Sequence, residues 1–155
     1  MVPFFVLVGA FVLCRILGWA GVGFFAAWQH CLRVAVAAMF LLTASAHWGK
    51  RRADLIRMVP PAFKRPDLLV TLTGIAELAG AVGILWTLTA KAASVGLAIL
   101  LVAMFPANVY AARRQLTIDG RKVPGLVVRT ALQIVFLFAV ILAGWGCALC
   151  LVSFS

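Results

Sequence analysis

The residue of this chain best placed to do chemistry is Glu77, whose carboxyl group lies deep inside an apolar stretch long enough to cross a membrane. It stands between Ile75, Ala76, Leu78 and Ala79. At the centre of a bilayer a charged side chain costs about 2.5–3.5 kcal/mol or more unless it is paired or hydrated. Glu77 must therefore be protonated, or it must pair with a cation or with hydrogen-bond donors. We expect Glu77 to bind a ligand, to transfer a proton or to take part in a redox reaction.

Four further polar residues are predicted at a similar depth in the membrane. Arg129 and Gln133 are four residues apart and share a helix face, Asn108 lies about one turn from the end of its apolar stretch, and His47 ends another. Two interpretations are open. The residues either form a polar pocket for a ligand, or they hold the helices together by hydrogen bonds of about 0.6–2 kcal/mol each.

Cysteines offer a second kind of chemistry. Cys147 and Cys150 form a C-x-x-C motif late in the last apolar stretch, and Cys31 begins another stretch on the same side. In an oxidising compartment such thiols form a disulfide or a thiol relay. The soluble redox motif opens a helix, however, and cysteines late in an apolar helix more often pack as small apolar residues. Cys147 and Cys150 are therefore secondary redox candidates, and no spacing of His, Cys and carboxylates predicts a metal site.

Composition shows what kind of structure must position these residues. The chain has 155 residues, 65% of them hydrophobic and only 12% charged, and its mean hydropathy is +1.13. A soluble domain needs more polar surface, so the composition predicts an integral protein of the lipid bilayer. The net charge of +10 does not indicate nucleic-acid binding, because the basic residues cluster between apolar runs, where they set orientation and meet anionic lipid head groups.

Five apolar stretches are each long enough to cross a hydrocarbon core about 30 Å thick. Continuous apolar runs favour helices over a β-barrel, which requires alternation. The sequence therefore predicts the all-α class: one polytopic transmembrane helical bundle over residues 1–155. The predicted spans are about 3–27, 31–48, 67–88, 91–112 and 125–152.

Residues 50–66, between the second and third spans, have apolar residues at helical spacing and a basic opposite face. This pattern favours a short helix in the membrane interface, ended by Pro60 and Pro61, over the alternative of an irregular basic loop.

Positive charge predicts the orientation of the bundle. Two of the 14 Lys and Arg residues, Arg33 and Lys91, lie on one side, and Arg15 falls inside span one. The others lie in or beside the loops after spans two and four. The positive-inside rule then places the N-terminus and these loops in the cytoplasm and the C-terminus outside. The cytoplasmic set is Lys50, Arg51, Arg52, Arg57, Lys64, Arg65, Arg113, Arg114, Arg121, Lys122 and Arg129.

Several motifs occur in a fixed order along the chain. They are Ala46-His47-Trp48, Met58-Val59-Pro60-Pro61, the segment 69–83 around Glu77, Phe105-Pro106-Ala107-Asn108-Val109-Tyr110, and Arg129 with Gln133. This set resembles the DoxX-like family of small bacterial membrane proteins (DoxX/DoxD/MauE type) over about residues 32–140. The resemblance implies a location in the bacterial inner membrane and a four-helix core, to which span one is an N-terminal addition. It also implies a membrane subunit linked to thiosulfate–quinone oxidoreduction, to oxidative-stress complexes or to the assembly of periplasmic redox enzymes.

Two functions remain open on this basis, and whether the protein is an enzyme is open as well. In the first, an inner-leaflet pocket of Glu77, Asn108, Arg129, Gln133 and His47 binds a small polar-headed ligand such as a quinone. Glu77 would then be the proton acceptor and Arg129 its charge complement. In the second, the chain is a non-catalytic accessory subunit that stabilises or assembles a membrane or periplasmic partner complex. The small size is compatible with a homo-oligomer.

Overall fold

The helices follow the apolar stretches of the sequence. The computed structural model describes residues 1–118, 120–122 and 124–150, and the side chains among them except at 118, 121, 122 and 146–150. The described helices are α1 (Val2–Trp19), α2 (Trp28–Ser45), α3 (Arg52–Met58), α4 (Pro66–Gly83), α5 (Thr87–Arg113) and α6 (Leu126–Cys150). A 3-10 turn (Gly23–Phe25) precedes α2, and the two-residue strands β1 (Thr117–Ile118) and β2 (Arg121–Lys122) follow α5.

Most of the long helices have the length and composition of membrane-crossing segments. In the described part of the chain, α1, α4, α5 and residues Leu126–Trp145 of α6 are each long and apolar enough to span a bilayer. Large apolar side chains cover the outside of the bundle; Leu88 and Val127, for example, are 98% and 83% exposed. An apolar surface of this extent suits lipid rather than water. The chain is a multi-pass helical membrane protein, and the predicted all-α class is confirmed apart from the two short strands.

α2 lies at the centre of the bundle, which explains why it is less apolar than the other long helices. It has 18 residues and packs against α1, α4 and α6. Nine of its side chains are buried, including Gln29 and Arg33, so its polar groups face protein rather than lipid. α4 packs on α5 and α5 packs on α6, which closes a ring of four helices; α1 lies outside that ring, against α2. The apolar core is centred on Ala35, Val36, Met39, Phe40, Ala81, Ile84, Leu97, Val140 and Ala143.

α1 is shorter than the predicted first span. It ends at Trp19, two residues before Gly21, whose φ of +101° is a left-handed conformation that glycine adopts without steric cost. The chain then turns through the 3-10 segment, where the Arg15 guanidinium donates to the Ala26 carbonyl at 2.9 Å. This turn reverses the chain, so that α2 packs along α1.

Both basic segments, which lie at the same end of the bundle, are structured. The helix predicted between spans two and three is confirmed as α3, which ends at Met58, just before Pro60. The segment after α5, which reads as a loop in the sequence, contains an antiparallel pair in which Thr117 is opposite Lys122. Gly120, with a φ of +72°, lies in the turn between the two strands. We refer to this end of the bundle, with α3 and the strands, as the basic end.

Candidate functional site

A cavity of about 570 Å³ opens at the basic end of the bundle. Its volume falls within the range of about 300–1,000 Å³ that is usual for sites of small organic ligands. Residues from α1, α2, α3, α4, α5 and α6 line it, and most of them are apolar. The structure brings all five of the site residues predicted from the sequence to the lining of this cavity. Their binding of a ligand stays a prediction. They are His47, Glu77, Asn108, Arg129 and Gln133.

One face of α4 brings Glu77 to the cavity. The buried residues of this helix are Val70, Gly74, Glu77 and Ala81, spaced four, three and four residues apart, as on a single helical face. This face meets the end of α2, where a Cβ at position 74 would lie 2.7 Å from the Cβ of His47. Glycine has no Cβ, so α4 approaches closely enough for the Glu77 carboxyl group to reach side chains of α2 and of the turn after it.

Two side chains contact the two oxygens of the Glu77 carboxyl group. Oε1 lies 3.5 Å from Nε2 of His47, and Oε2 lies 2.7 Å from Oγ1 of Thr43. Glu77 and His47 are each only 3% exposed. Sequence reasoning did not select Thr43, although within the predicted span 31–48 its spacing of four residues from His47 would place the two side chains on one helical face.

The backbone of α4 fixes the orientation of the His47 ring. Nδ1 lies 2.6 Å from the carbonyl oxygen of Val70. A carbonyl oxygen only accepts hydrogen bonds, so Nδ1 carries a hydrogen, and Nε2 is left to exchange a proton with Glu77. One further proton then resides either on Nε2 or on the carboxyl group. The pair is neutral overall in both arrangements, which is the condition that a low-dielectric membrane interior favours.

The hydroxyl group of Thr43 suits both arrangements of that proton. Its oxygen lies 3.0 Å from the Phe40 carbonyl and 2.7 Å from Oε2 of Glu77, yet a hydroxyl group has a single hydrogen to donate. When Glu77 is ionised, Thr43 donates to Oε2. When Oε2 carries the proton, Glu77 donates to Thr43, and Thr43 donates to Phe40. Thr43 therefore accommodates an ionised or a protonated Glu77 by turning its hydroxyl group, without movement of a helix.

Arg129 contacts Asn108, and not Glu77 as the sequence predicts. Its Nη1 donates to Oδ1 of Asn108 at 2.6 Å. Within the described residues, the Nε of Arg129 is the one buried side-chain nitrogen or oxygen without a hydrogen-bond partner. The charge complement of Glu77 is thus His47, which the sequence places at the right depth and includes in the pocket but does not pair with Glu77. The cause is the close approach at Gly74, which joins α4 to the end of α2 rather than to α6.

Gln133 connects α6 to α5 beside Pro106. Its Nε2 donates to the Leu101 carbonyl at 2.6 Å. Pro106 has no N–H and therefore leaves the Val102 carbonyl without its helical donor, while α5 continues past it to Arg113. The carbonyl that Gln133 binds, that of Leu101, is therefore next to the one that Pro106 leaves without a donor.

Arg52 holds the turn that carries His47. Its guanidinium donates to the His47 carbonyl at 2.9 Å, to Oγ1 of Thr71 at 2.9 Å and to the Asp67 carbonyl at 3.3 Å. These bonds tie the turn after α2 and the start of α3 to the first turns of α4. Sequence reasoning treats Arg52 only as an orienting charge, since nothing in its spacing shows that it folds back on the turn.

The opposite end of the bundle also contains buried polar side chains. Arg33, 5% exposed, donates from Nε to the Ala143 carbonyl at 3.0 Å and from Nη1 to Oγ1 of Thr87 at 3.2 Å. The buried thiol of Cys31 donates to the Phe25 carbonyl at 3.3 Å. These bonds join helices and turns to one another, and they are not part of the cavity.

The secondary redox candidates, Cys147 and Cys150, lie outside the residues whose side chains the structure describes. In the part of the chain that is described, no group of three or more His, Cys, Asp or Glu residues lies close enough together to hold a metal ion.

A family model described as a domain of unknown function (DUF8561) matches residues 36–148. The match begins within α2, takes in α3, α4 and α5, and ends within α6, so it contains each of the five predicted site residues and Thr43 and leaves α1 outside. No curated protein and no solved structure matches the chain.

Proposed function

The chain belongs to the DUF8561 family, and we propose that it is a small membrane protein associated with redox chemistry, which binds a polar-headed lipophilic ligand such as a quinone. The observation that carries the proposal is the buried pair of His47 and Glu77 on the wall of a largely apolar cavity. The pair holds one proton in either of two positions. Such a pair is costly in a membrane helix bundle, and ionisable groups in that position mark ligand or proton sites more often than packing.

A quinone matches the two kinds of group that line the cavity. Its reduction takes up two electrons and two protons, and its oxidation releases them. Glu77 and His47 would give or take a proton at a ring oxygen, and Arg129 and Asn108 offer donors on the part of the wall formed by α5 and α6. The apolar remainder of the wall would contact the ring and the start of the tail. The electrons would pass to or from a protein partner in a redox complex.

The resemblance to the DoxX-like family and the distribution of charge support the same proposal. By the positive-inside rule the basic end would face the cytoplasm. The start of α1 and the cavity would then lie at the cytoplasmic side of a bacterial inner membrane, and the end of α6 outside. In this arrangement α2 would cross the membrane together with α1, α4, α5 and α6, and its neighbours would shield it from lipid. The cavity would then receive ligand from the inner leaflet, at the depth of a quinone head group.

The second candidate function is that of an accessory or assembly subunit without a ligand of its own. The observation in its favour is that the polar groups of the cavity also join helices. Thr43 and His47 bind α4, and Arg129 and Gln133 bind α5. Interhelical bonds of about 0.6–2 kcal/mol each would suffice to explain them as structural contacts.

Ligand-detecting mass spectrometry separates the two functions. The protein is purified gently from its native membrane as wild type, as Glu77→Gln and as Asp67→Asn. The last variant is a matched control, because Asp67 undergoes the same chemical change at an exposed position at the start of the same helix.

The proposal expects a quinone near one equivalent per chain in the wild type and in Asp67→Asn, and at least a tenfold lower content in a folded Glu77→Gln variant. Bulk lipid alone in all three folded proteins would contradict the ligand site and favour the accessory role. Co-purification of a redox protein with a ligand-free chain would establish that role directly.

A further inference from the structure

The wall of the cavity formed by α5 and α6 has a different character from the wall that carries Glu77. Its charged group is the guanidinium of Arg129, which is held by the neutral amide oxygen of Asn108. The Nε of Arg129 is buried and has no hydrogen-bond partner. Arg129 as a whole is half-buried. Its buried Nε has lost contact with water without gaining an acceptor, which is unfavourable unless something else supplies a negatively charged one.

The described residues of the cavity wall do not supply it. Glu77 is the one carboxylic acid among the lining residues that the structure describes, and His47 and Thr43 already bind its two oxygens. Because the pair of His47 and Glu77 is neutral overall, it does not balance Arg129. The positive charge on the α5–α6 wall is therefore left for a ligand.

The rest of the wall shows what else such a ligand must carry. Apolar side chains surround the polar groups, and they are Met39, Phe40, Leu101, Met104, Leu132 and Phe136. A volume of about 570 Å³ is typical of sites for small organic ligands and is room for a head group and part of one chain. The basic end of the bundle would attract anionic amphiphiles to the opening.

We propose that the cavity contains a second subsite, for the anionic head of a single-chain amphiphile, and that Arg129 is the residue that binds this head. The head is a carboxylate or a phosphate ester, since both present oxygens that a guanidinium binds strongly. The subsite rests on the proposed function only in treating the cavity as a ligand site. It makes an acidic amphiphile a competitor of the quinone.

Binding of radiolabelled oleate to the full-length chain tests this subsite. The protein is captured on scintillation beads in a neutral detergent, so that only protein-bound label is counted. The competitors are unlabelled oleate, oleyl alcohol and inorganic phosphate, which have head and chain, chain alone, and anion alone. Arg129→Gln is compared with Arg113→Gln, a matched change at an exposed position of the basic end outside the cavity lining.

The subsite predicts one oleate per wild-type chain, at least tenfold weaker competition by oleyl alcohol and no competition by phosphate. Affinity falls at least tenfold in Arg129→Gln and stays unchanged in Arg113→Gln. Equal competition by oleyl alcohol and oleate overturns the proposal, as does unchanged oleate affinity in Arg129→Gln. If Arg129→Gln does not fold, the comparison of the two competitors on the wild type decides.

The outcome is separate from that of the proposed function. If the chain carries quinone but oleate and oleyl alcohol compete equally, the anion subsite is rejected and the quinone site is retained. If the chain binds oleate through Arg129 but never carries quinone, the subsite is retained and the redox proposal is rejected.

Discussion

His47 and Gly74 pack so closely that the residue at position 74 determines where the imidazole ring lies. A Cβ at position 74 would lie 2.7 Å from the Cβ and 2.8 Å from the Cγ of His47. The same approach brings the Val70 carbonyl to Nδ1 and the Glu77 carboxyl group to Nε2. The proton-holding pair thus depends on a missing side chain, one helical turn from the carboxyl group that it positions.

We expect Gly74→Ala to destabilise the protein and to displace His47, because the added methyl group has no room. Overpacking of this kind costs about 1–3 kcal/mol. The control is Gly96→Ala, since nothing lies within 4 Å of a Cβ at that helical position; it should be neutral or stabilising by up to about 1 kcal/mol. Thermal unfolding in detergent measures both variants. Equal midpoints for the two would show that the close approach at Gly74 is not required.

We expect His47 and Glu77 to be energetically coupled. His47→Gln and Glu77→Gln each leave the other member of the pair without its counter-charge, whereas the double variant removes both charges together. The sum of the losses of unfolding free energy in the two single variants should therefore exceed the loss in the double variant. The difference is the coupling energy, which we expect to be about 0.5–3 kcal/mol. Denaturant unfolding of the four proteins gives this value. Additivity within about 0.5 kcal/mol would mean that the two groups do not interact.

The sequence predicts the candidate site residues well and their partners poorly, and the reason is physical. Depth along a membrane helix follows from counting residues, so Glu77, Asn108 and Arg129 could be placed at one level. Which side of each helix faces which neighbour depends on packing. The buried face of α4 follows the helical spacing of Val70, Gly74, Glu77 and Ala81, but nothing in that spacing shows that it meets α2 rather than α6. For this reason the sequence assigns Arg129 to Glu77 instead of His47.

The helix boundaries likewise show that the sequence predicts lengths along the chain better than turns and packing. Apolar length predicts four long helices to within about five residues at each end, but α1 ends early because the turn at Gly21 lies within an uninterrupted apolar run. The hydropathy of the first span contains no mark of that turn. Likewise, α2 is less apolar than its neighbours and is nevertheless the central helix, because its polar side chains Gln29 and Arg33 bury against protein.

We expect Thr43→Val to remove the hydrogen bond between residue 43 and the Glu77 carboxyl group. Valine has nearly the shape of threonine but lacks the hydroxyl group. The lost hydrogen bond should cost about 0.5–1.5 kcal/mol of stability. The C=O stretch of the protonated carboxyl group should move to higher wavenumber in infrared difference spectra, and Thr43→Ser should restore it. Ser45→Ala is the control, because Ser45 is exposed on the same helix and its hydroxyl binds only the Leu42 carbonyl. An unshifted carboxyl band in Thr43→Val would remove Thr43 from the site.

We expect Arg52→Gln to lower both stability and ligand content, although Arg52 does not line the cavity. Its guanidinium holds the His47 carbonyl and Oγ1 of Thr71 together, each at 2.9 Å, and charge-assisted bonds of this kind contribute about 1.5–3 kcal/mol each when well buried. Because Arg52 is only half-buried, we expect the total loss to be about 1–2 kcal/mol. Freed from this bond, the turn would allow the imidazole ring to move away from Glu77.

Arg57→Gln is the matched control for that experiment. Arg57 lies on the same short helix, its side chain is 66% exposed, and it pairs with Asp54. A surface pair of this kind contributes about 0–1 kcal/mol, so the variant should unfold close to the wild type and keep its quinone. Thermal unfolding and ligand-detecting mass spectrometry are run on both proteins. A normal quinone content in a destabilised Arg52→Gln would restrict Arg52 to a structural role, because loss of the turn would then leave the proton-holding pair intact.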